Sequence, residues 1–211
     1  MRPQRPLIAW WVMGPCPRVV GRPSLAGMTM NNVSLTHQDG EDAAALLEEV
    51  CDAYADAYGV EPGEEKTAAF RRRAEKQFTR PGFTLVVARD EGRLVGFVFG
   101  YTLAAGDTHW WGGVQPEPSA EFLEETGSRT WVLSEIEVRR AWQGKGVGRA
   151  LHDAVLGTRS EERATLATGP DAPAQKVYTG WGWQLVGRIP GDDGDYYSAY
   201  DLFVLELPVS R

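Results

Sequence analysis

The run Gln143-Gly144-Lys145-Gly146-Val147-Gly148-Arg149 constrains the fold more than any other part of this chain. It follows an apolar stretch with strand character, Trp131–Val138. It precedes Val147, Ala150, Leu151, Ala154 and Val155, which recur at helical spacing. Glycines between a strand and a helix let successive backbone N–H groups converge on one anion. The helix start adds positive potential there. Lys145 and Arg149 add full positive charges. The segment is built to hold a phosphate.

The remaining segments say what surrounds it. Val33–Thr36, Phe83–Arg89, Leu94–Leu103, Thr165–Thr168, Trp183–Ile189 and Ala199–Leu207 read as further strands. Asp90-Glu91-Gly92-Arg93 closes a hairpin. Helices are expected from about Ala43 to Tyr58, ended by Gly59, and over Glu64–Thr79. Two more are expected over Gly146–Arg159 and Ala172–Trp181, the last with Asp171 as N-cap. Arg71-Arg72-Arg73 reads as a solvated basic run, and His109 and His152 as polar surface residues. The order β-α-α-β-β-β-α-β-α-β-β predicts a mixed α/β single domain, with a central sheet of six to seven strands flanked by helices. Ala104–Arg129 is a polar insertion carrying Trp110 and Trp111. A connection of that length is more often functional than idle.

Composition narrows the function. Acidic residues number 29 against 22 basic ones, for a net charge of −7. That balance argues against a nucleic-acid partner, which needs a basic stripe. No apolar run reaches the roughly 18 residues of a membrane span. The two cysteines, Cys16 and Cys51, and three histidines offer neither a disulfide framework nor a metal site. A cytoplasmic location is the expectation. Residues 1–30, with five prolines and no period, are expected to be a mobile extension ahead of a domain over 31–211. The N-terminal apolar stretch Leu7–Met13 lacks a clean cleavage site and is not read as a signal peptide.

A Walker loop needs Lys followed by Ser or Thr, and a dinucleotide loop needs Gly where Arg149 stands, so neither nucleotide motif fits. The run Val138–Leu151 instead resembles motif A of the GNAT superfamily of N-acetyltransferases, through Gln143, Gly146 and Gly148. Asp171-x-x-Ala174-x-x-x-Tyr178-x-x-x-Gly182-Trp183 resembles the family's motif B, with Asp171 in place of Asn and Trp183 in place of Phe. The resemblance implies a GNAT fold whose parallel strands splay at the coenzyme site. It implies acetyl-CoA as co-substrate, no metal, and direct acetyl transfer to a primary amine. Val138, Gln143, Gly144, Lys145, Gly146, Val147, Gly148, Arg149 and Asp171 would hold the coenzyme. A backbone N–H near Val138 would meet the oxyanion, and Tyr178 would supply the leaving thiolate's proton.

The acceptor amine must lose a proton, since an alkylammonium is only ~0.1% neutral at pH 7, a cost of roughly 4 kcal/mol. Glu135 and Glu137, two apart on one strand, share a face and are the candidate bases, Glu135 first. The resemblance implies that Trp110, Trp111, Asp193 and Tyr196, with Tyr54, Tyr58, Asp192 and Asp195 in support, lie around the acceptor pocket, where aromatics and carboxylates suit a cationic small molecule. A monomer or homodimer is expected. A protein or peptide N-acetyltransferase and a non-catalytic acyl-CoA sensor are the rival readings.

Overall fold

The computed structural model describes residues 32–191 and 197–208. The expected extension over 1–30 and the acidic-loop residues Asp192, Asp193, Asp195 and Tyr196 lie outside them. The elements run β1 (Val33–Gln38), α1 (Gly40–Ala45), α2 (Leu47–Tyr58), α3 (Glu65–Phe78), β2 (Thr84–Asp90) and β3 (Arg93–Thr102). After them come α4 (Ala120–Leu123), β4 (Thr130–Val138), α5 (Val147–Leu156), β5 (Arg163–Thr168), α6 (Ala174–Gly180), β6 (Gln184–Pro190) and β7 (Ala199–Glu206).

Local chemistry explains most boundaries. The Asp39 side chain accepts from the N–H groups of Glu41 and Asp42 and caps α1. Gly59, at φ 65°, closes α2, and the N–H of Val60 bonds back to Ala55 O. Glu91 and Gly92 both have positive φ, which the two-residue β2–β3 hairpin turn requires. Two expectations are corrected. The first helix breaks at Leu46, whose backbone leaves helical geometry. Helix α6 begins later than expected, and its N-cap is Pro173, not Asp171.

Seven strands form one sheet in the order β1-β2-β3-β4-β5-β7-β6. Every pairing is antiparallel except β4 with β5. Strands β2 and β3 are apolar on both faces. Leu85, Val87, Phe97 and Phe99 pack under α2 and α3. Val86, Val95 and Val98 pack with α5 on the other face. Burial on both sides is why these strands read as continuous apolar runs. The insertion covers the β5-β7-β6 half, with Trp110 and Trp111 packed among Tyr101, Val132, Tyr200 and Leu202.

Two irregularities in β4 position the site. The parallel ladder pairs only Thr130–Val132 with Arg163–Thr165. Beyond it, the remainder of β4 and of β5 run on without pairing to each other. Against β3, the register passes from Phe99↔Glu135 to Gly100↔Leu133, so Ser134 is an extra residue in a β-bulge. The bulge inverts the face assignment along the strand. Trp131 and Leu133 lie in the α5-side core with Ile136, while Glu135 and Glu137 face α2 and α3. An unbroken alternation would have put all four odd-numbered residues on one face.

Candidate active site

The glycine loop sits at the end of β4. Gly144 and Gly146 take φ values of 72° and 86°, a region costly for residues with a Cβ. Gly146 is the N-cap of α5, and the N–H of Ala150 bonds back to Gly146 O. The preceding N–H groups, of Val147, Gly148 and Arg149, therefore have no acceptor one turn back in the helix. A Cβ on Gly148 would lie 3.8 Å from Val138 and 4.0 Å from Trp181, at ordinary contact distance, so the strand end and helix start lie close together here. The Gln143 side chain donates to Val138 O at 2.9 Å and clamps the loop to the strand. Arg149 pairs with Asp153 at 2.8 Å and lies over the Trp181 ring. This loop, with Lys145 beside it, fits a diphosphate. Asp171 is exposed on the turn before α6.

The loop is braced from both sides. Arg139 donates to Leu94 O and pairs with Asp52 of α2 at 2.6 Å. His152, on α5, is fully buried, which corrects the surface expectation. Trp183 Nε1 donates to His152 Nε2 at 3.0 Å, so the imidazole proton sits on Nδ1 and is donated to Asp153. Burial lowers the histidine's proton affinity and keeps it neutral. Trp183 thus fills an apolar slot and ties α5 to the start of β6.

Glu135 and Glu137 are 2% and 5% exposed, yet their surroundings differ. Glu135 Oε1 accepts two bonds from Arg73 of α3, at 2.6 and 3.1 Å, while its Oε2 is buried without a hydrogen-bond partner. Glu137 Oε1 accepts from the Tyr58 hydroxyl at 2.9 Å. Burial raises the proton affinity of both carboxylates. For Glu135 the Arg73 guanidinium opposes that rise; for Glu137 the neighbouring Glu135 charge adds to it, and Glu137 is pushed well above the ordinary carboxylate range. Lys66 lies over the Tyr58 ring, its Nζ 3.6 Å from the centroid.

Tyr178 of α6 is buried edge-on to Trp181 and Trp183 on the α5 side of the sheet. Burial raises its proton affinity, and the charges of Glu137 and Glu135 raise it further. The phenol and the carboxylates therefore sense each other across the parted strands.

Trp110 and Trp111 are 6% and 3% exposed, with their indole N–H groups bonded to Thr165 and Glu125. Glu125 also binds Arg163 and Thr130. Their burial places both tryptophans in the core that anchors the insertion, and Trp111 also lines an open cavity there with Thr108, Val114 and Leu123. Asp193 and Tyr196 lie outside the described residues. Arg73 and Lys66 are the site residues that sequence reading missed. A usable signal existed for Arg73: with Phe70, Ala74, Gln77 and Phe78 it occupies the buried stripe of α3. Gln77 from the same stripe accepts from Ser134 at the bulge. Among the described residues no cluster of His, Cys, Asp or Glu could hold a metal, and no helix is long and apolar enough to cross a membrane.

Solved structures share the fold. An aminoglycoside 6'-N-acetyltransferase complexed with coenzyme A superposes with a TM-score of 0.57 at 15% identity, covering 84% of this chain and 98% of that one. The ribosomal-protein-S18-alanine N-acetyltransferase of Escherichia coli gives 0.53 at 16%, covering 85% and 96%. A GNAT-like decarboxylase bound to isobutyryl-CoA gives 0.57 at 19%, covering 82% and 99%. No curated protein matches the sequence. The acetyltransferase (GNAT) family profile matches residues 45–183. The chain belongs to the acetyltransferase (GNAT) family and is an acetyl-CoA-dependent N-acetyltransferase.

Proposed function

We propose that the protein transfers acetyl from acetyl-CoA directly to the primary amine of a cationic small molecule, with Glu137 as the proton acceptor. One observation carries this reading: Glu135 is ion-paired to Arg73, whereas the hydrogen bond that Glu137 accepts comes from the neutral hydroxyl of Tyr58. A base working near neutral pH needs a proton affinity raised toward that pH. Among the described residues no cation hydrogen-bonds Glu137, and burial together with the neighbouring Glu135 charge raises its proton affinity. The order of candidates expected from sequence is thereby reversed.

When bound, acetyl-CoA supplies the activated acyl group as a thioester. Backbone N–H groups of Val147, Gly148 and Arg149, with Lys145 and Arg149, would hold its diphosphate. The stretch of β4 ending at Val138, unpaired on its β5 side, would line the pantetheine arm and offer a backbone donor to the oxyanion, a contribution typically about 3 kcal/mol. Glu137 takes the proton of the incoming ammonium. Tyr178 hydrogen-bonds the departing sulfur. Its raised proton affinity makes full transfer to a thiolate unfavourable while Glu137 is charged. A proton arriving on Glu137 removes part of that obstacle, so the base and the acid are coupled in the productive direction.

Burial of the carboxylates beneath α2 and α3, beside Tyr54 and Tyr58, supports a compact amine acceptor rather than an extended peptide. The test is release of free CoA thiol from acetyl-CoA across a panel of small primary amines and of peptide N-termini. Turnover on small amines is expected. Acetylation confined to peptides would replace the acceptor class, and CoA binding without turnover on any amine would make the protein a sensor.

A further inference from the structure

Lys66 is the second residue of α3, in the helical turn where a cation is least favoured by the helix dipole. Its side chain nonetheless folds inward. The ammonium lies 3.6 Å above the Tyr58 ring centroid. That ring's hydroxyl donates to Glu137 at 2.9 Å, which increases electron density on the ring and strengthens its attraction for a cation. Among the described residues Lys66 makes no ion pair; the Tyr58 ring face is its direct contact, with the charges of Glu137 and Glu135 acting on it from further off.

We infer that the Tyr58 ring and Glu137 form a subsite for a primary alkylammonium at the end of an unbranched chain, which Lys66 occupies in the free protein and the acceptor displaces. The inference rests on the proposed acetyl transfer and names its acceptor class. The Lys66 side chain is itself a butylammonium group, so its fit against Tyr58 displays the shape and charge the subsite accepts. The neighbouring Tyr54 ring, 4.5 Å from Tyr58, extends the wall. Arg73 neutralises Glu135, which leaves Glu137 as the carboxylate available to an incoming cation. Lys66 is also easy to displace. Its burial disfavours its charged form, against the pull of Glu137 and Glu135, and swinging out restores its hydration. An acceptor ammonium on Tyr58 would stand beside the carboxylate that must take its proton. Competition from Lys66 lowers apparent affinity by the fraction of molecules in which the subsite is filled.

The experiment is a calorimetric titration of n-pentylammonium into the CoA-loaded protein, where no acetyl group is present to transfer. Lys66→Ala and Lys66→Met should each bind it about tenfold more tightly than the parent. Tyr58→Leu combined with Lys66→Ala should lose that gain. Glucosamine, whose amine sits on a ring carbon, should gain much less. Unchanged or weaker pentylammonium binding in both Lys66 variants would overturn the inference, and an equal gain for glucosamine would overturn the unbranched-chain class. The CoA-loading step separates the two readings. Failure to bind CoA counts against the acetyl-transfer proposal, whereas titration without CoA still reads the subsite.

Discussion

The proposed coenzyme loop and the proposed acceptor side of β4 meet at one strand but are built from different materials. The loop is made of backbone. Its donors are N–H groups, its geometry comes from Gly144 and Gly146 at positive φ, and its residues are contiguous from Gln143 to Arg149. The acceptor side is made of side chains from three separate segments: Tyr58 from α2, Lys66 and Arg73 from α3, and Glu135 and Glu137 from β4. A backbone site tolerates changes in most side chains but not in its glycines. A side-chain site stands or falls with its charge pairing, because each buried charge must be compensated.

The largest expected effect falls on the acceptor side. Arg73→Met removes the cation that, among the described residues, pairs with Glu135, a pair whose side chains are 5% and 1% exposed. Leaving that carboxylate buried and uncompensated should cost about 3–5 kcal/mol in chemical denaturation. Adding Glu135→Gln to Arg73→Met should recover much of the loss. A near-neutral single variant would mean that Glu135 is already protonated in the folded protein.

Tyr178→Phe keeps the ring against Trp181 and Trp183 and removes only the hydroxyl. Its kcat should fall roughly 10–10³-fold while acetyl-CoA affinity holds. Full activity would show that the thiolate leaves without this donor.

Gly146→Val probes the backbone region. It should weaken CoA binding by at least about tenfold, and its strained backbone should cost about 1–2 kcal/mol of stability. Unchanged affinity by calorimetry in a folded variant would remove the loop from the coenzyme site.

The smallest effect concerns pH and stability. Glu137 binds its proton more tightly folded than unfolded. Its contribution is therefore complete below the unfolded carboxylate pKa and is lost as pH rises through the raised folded value. Glu137→Gln should gain stability relative to the parent on moving from acid to neutral pH, read as a difference in Tm. A constant difference across that range would place the Glu137 pKa at its ordinary value.

The same contrast decides what the sequence made legible. The loop could be read because its chemistry is local: glycines, cations, strand and helix follow one another in a single stretch. The sheet could be read because β2 and β3 are strongly apolar. The acceptor side could not, for two physical reasons. Ser134 gives no sign of the bulge, and strict alternation would group Trp131 and Leu133 with the two glutamates. Arg73 is hidden in a run of three arginines, of which Arg71 and Arg72 do pair at the surface with Glu48 and Glu65. The helical stripe through Phe70, Ala74 and Phe78 singles out Arg73, but its partner Glu135 is known only once the bulge turns that residue toward α3. His152 escaped notice for a similar reason, since its acceptor role depends on Trp183, far along the chain.

The central claim is that Arg73 occupies Glu135 and leaves Glu137 to take the acceptor's proton. The most direct measurement is the pH dependence of kcat with the best small amine of the panel, for the parent, Glu135→Gln and Glu137→Gln. In the parent, kcat should rise with pH with an apparent pKa well above the ordinary carboxylate range. Glu137→Gln should lose that rise, and Glu135→Gln should retain one. An intact rise in Glu137→Gln, or its disappearance only in Glu135→Gln, would contradict the account and return the role of base to Glu135 or to solvent.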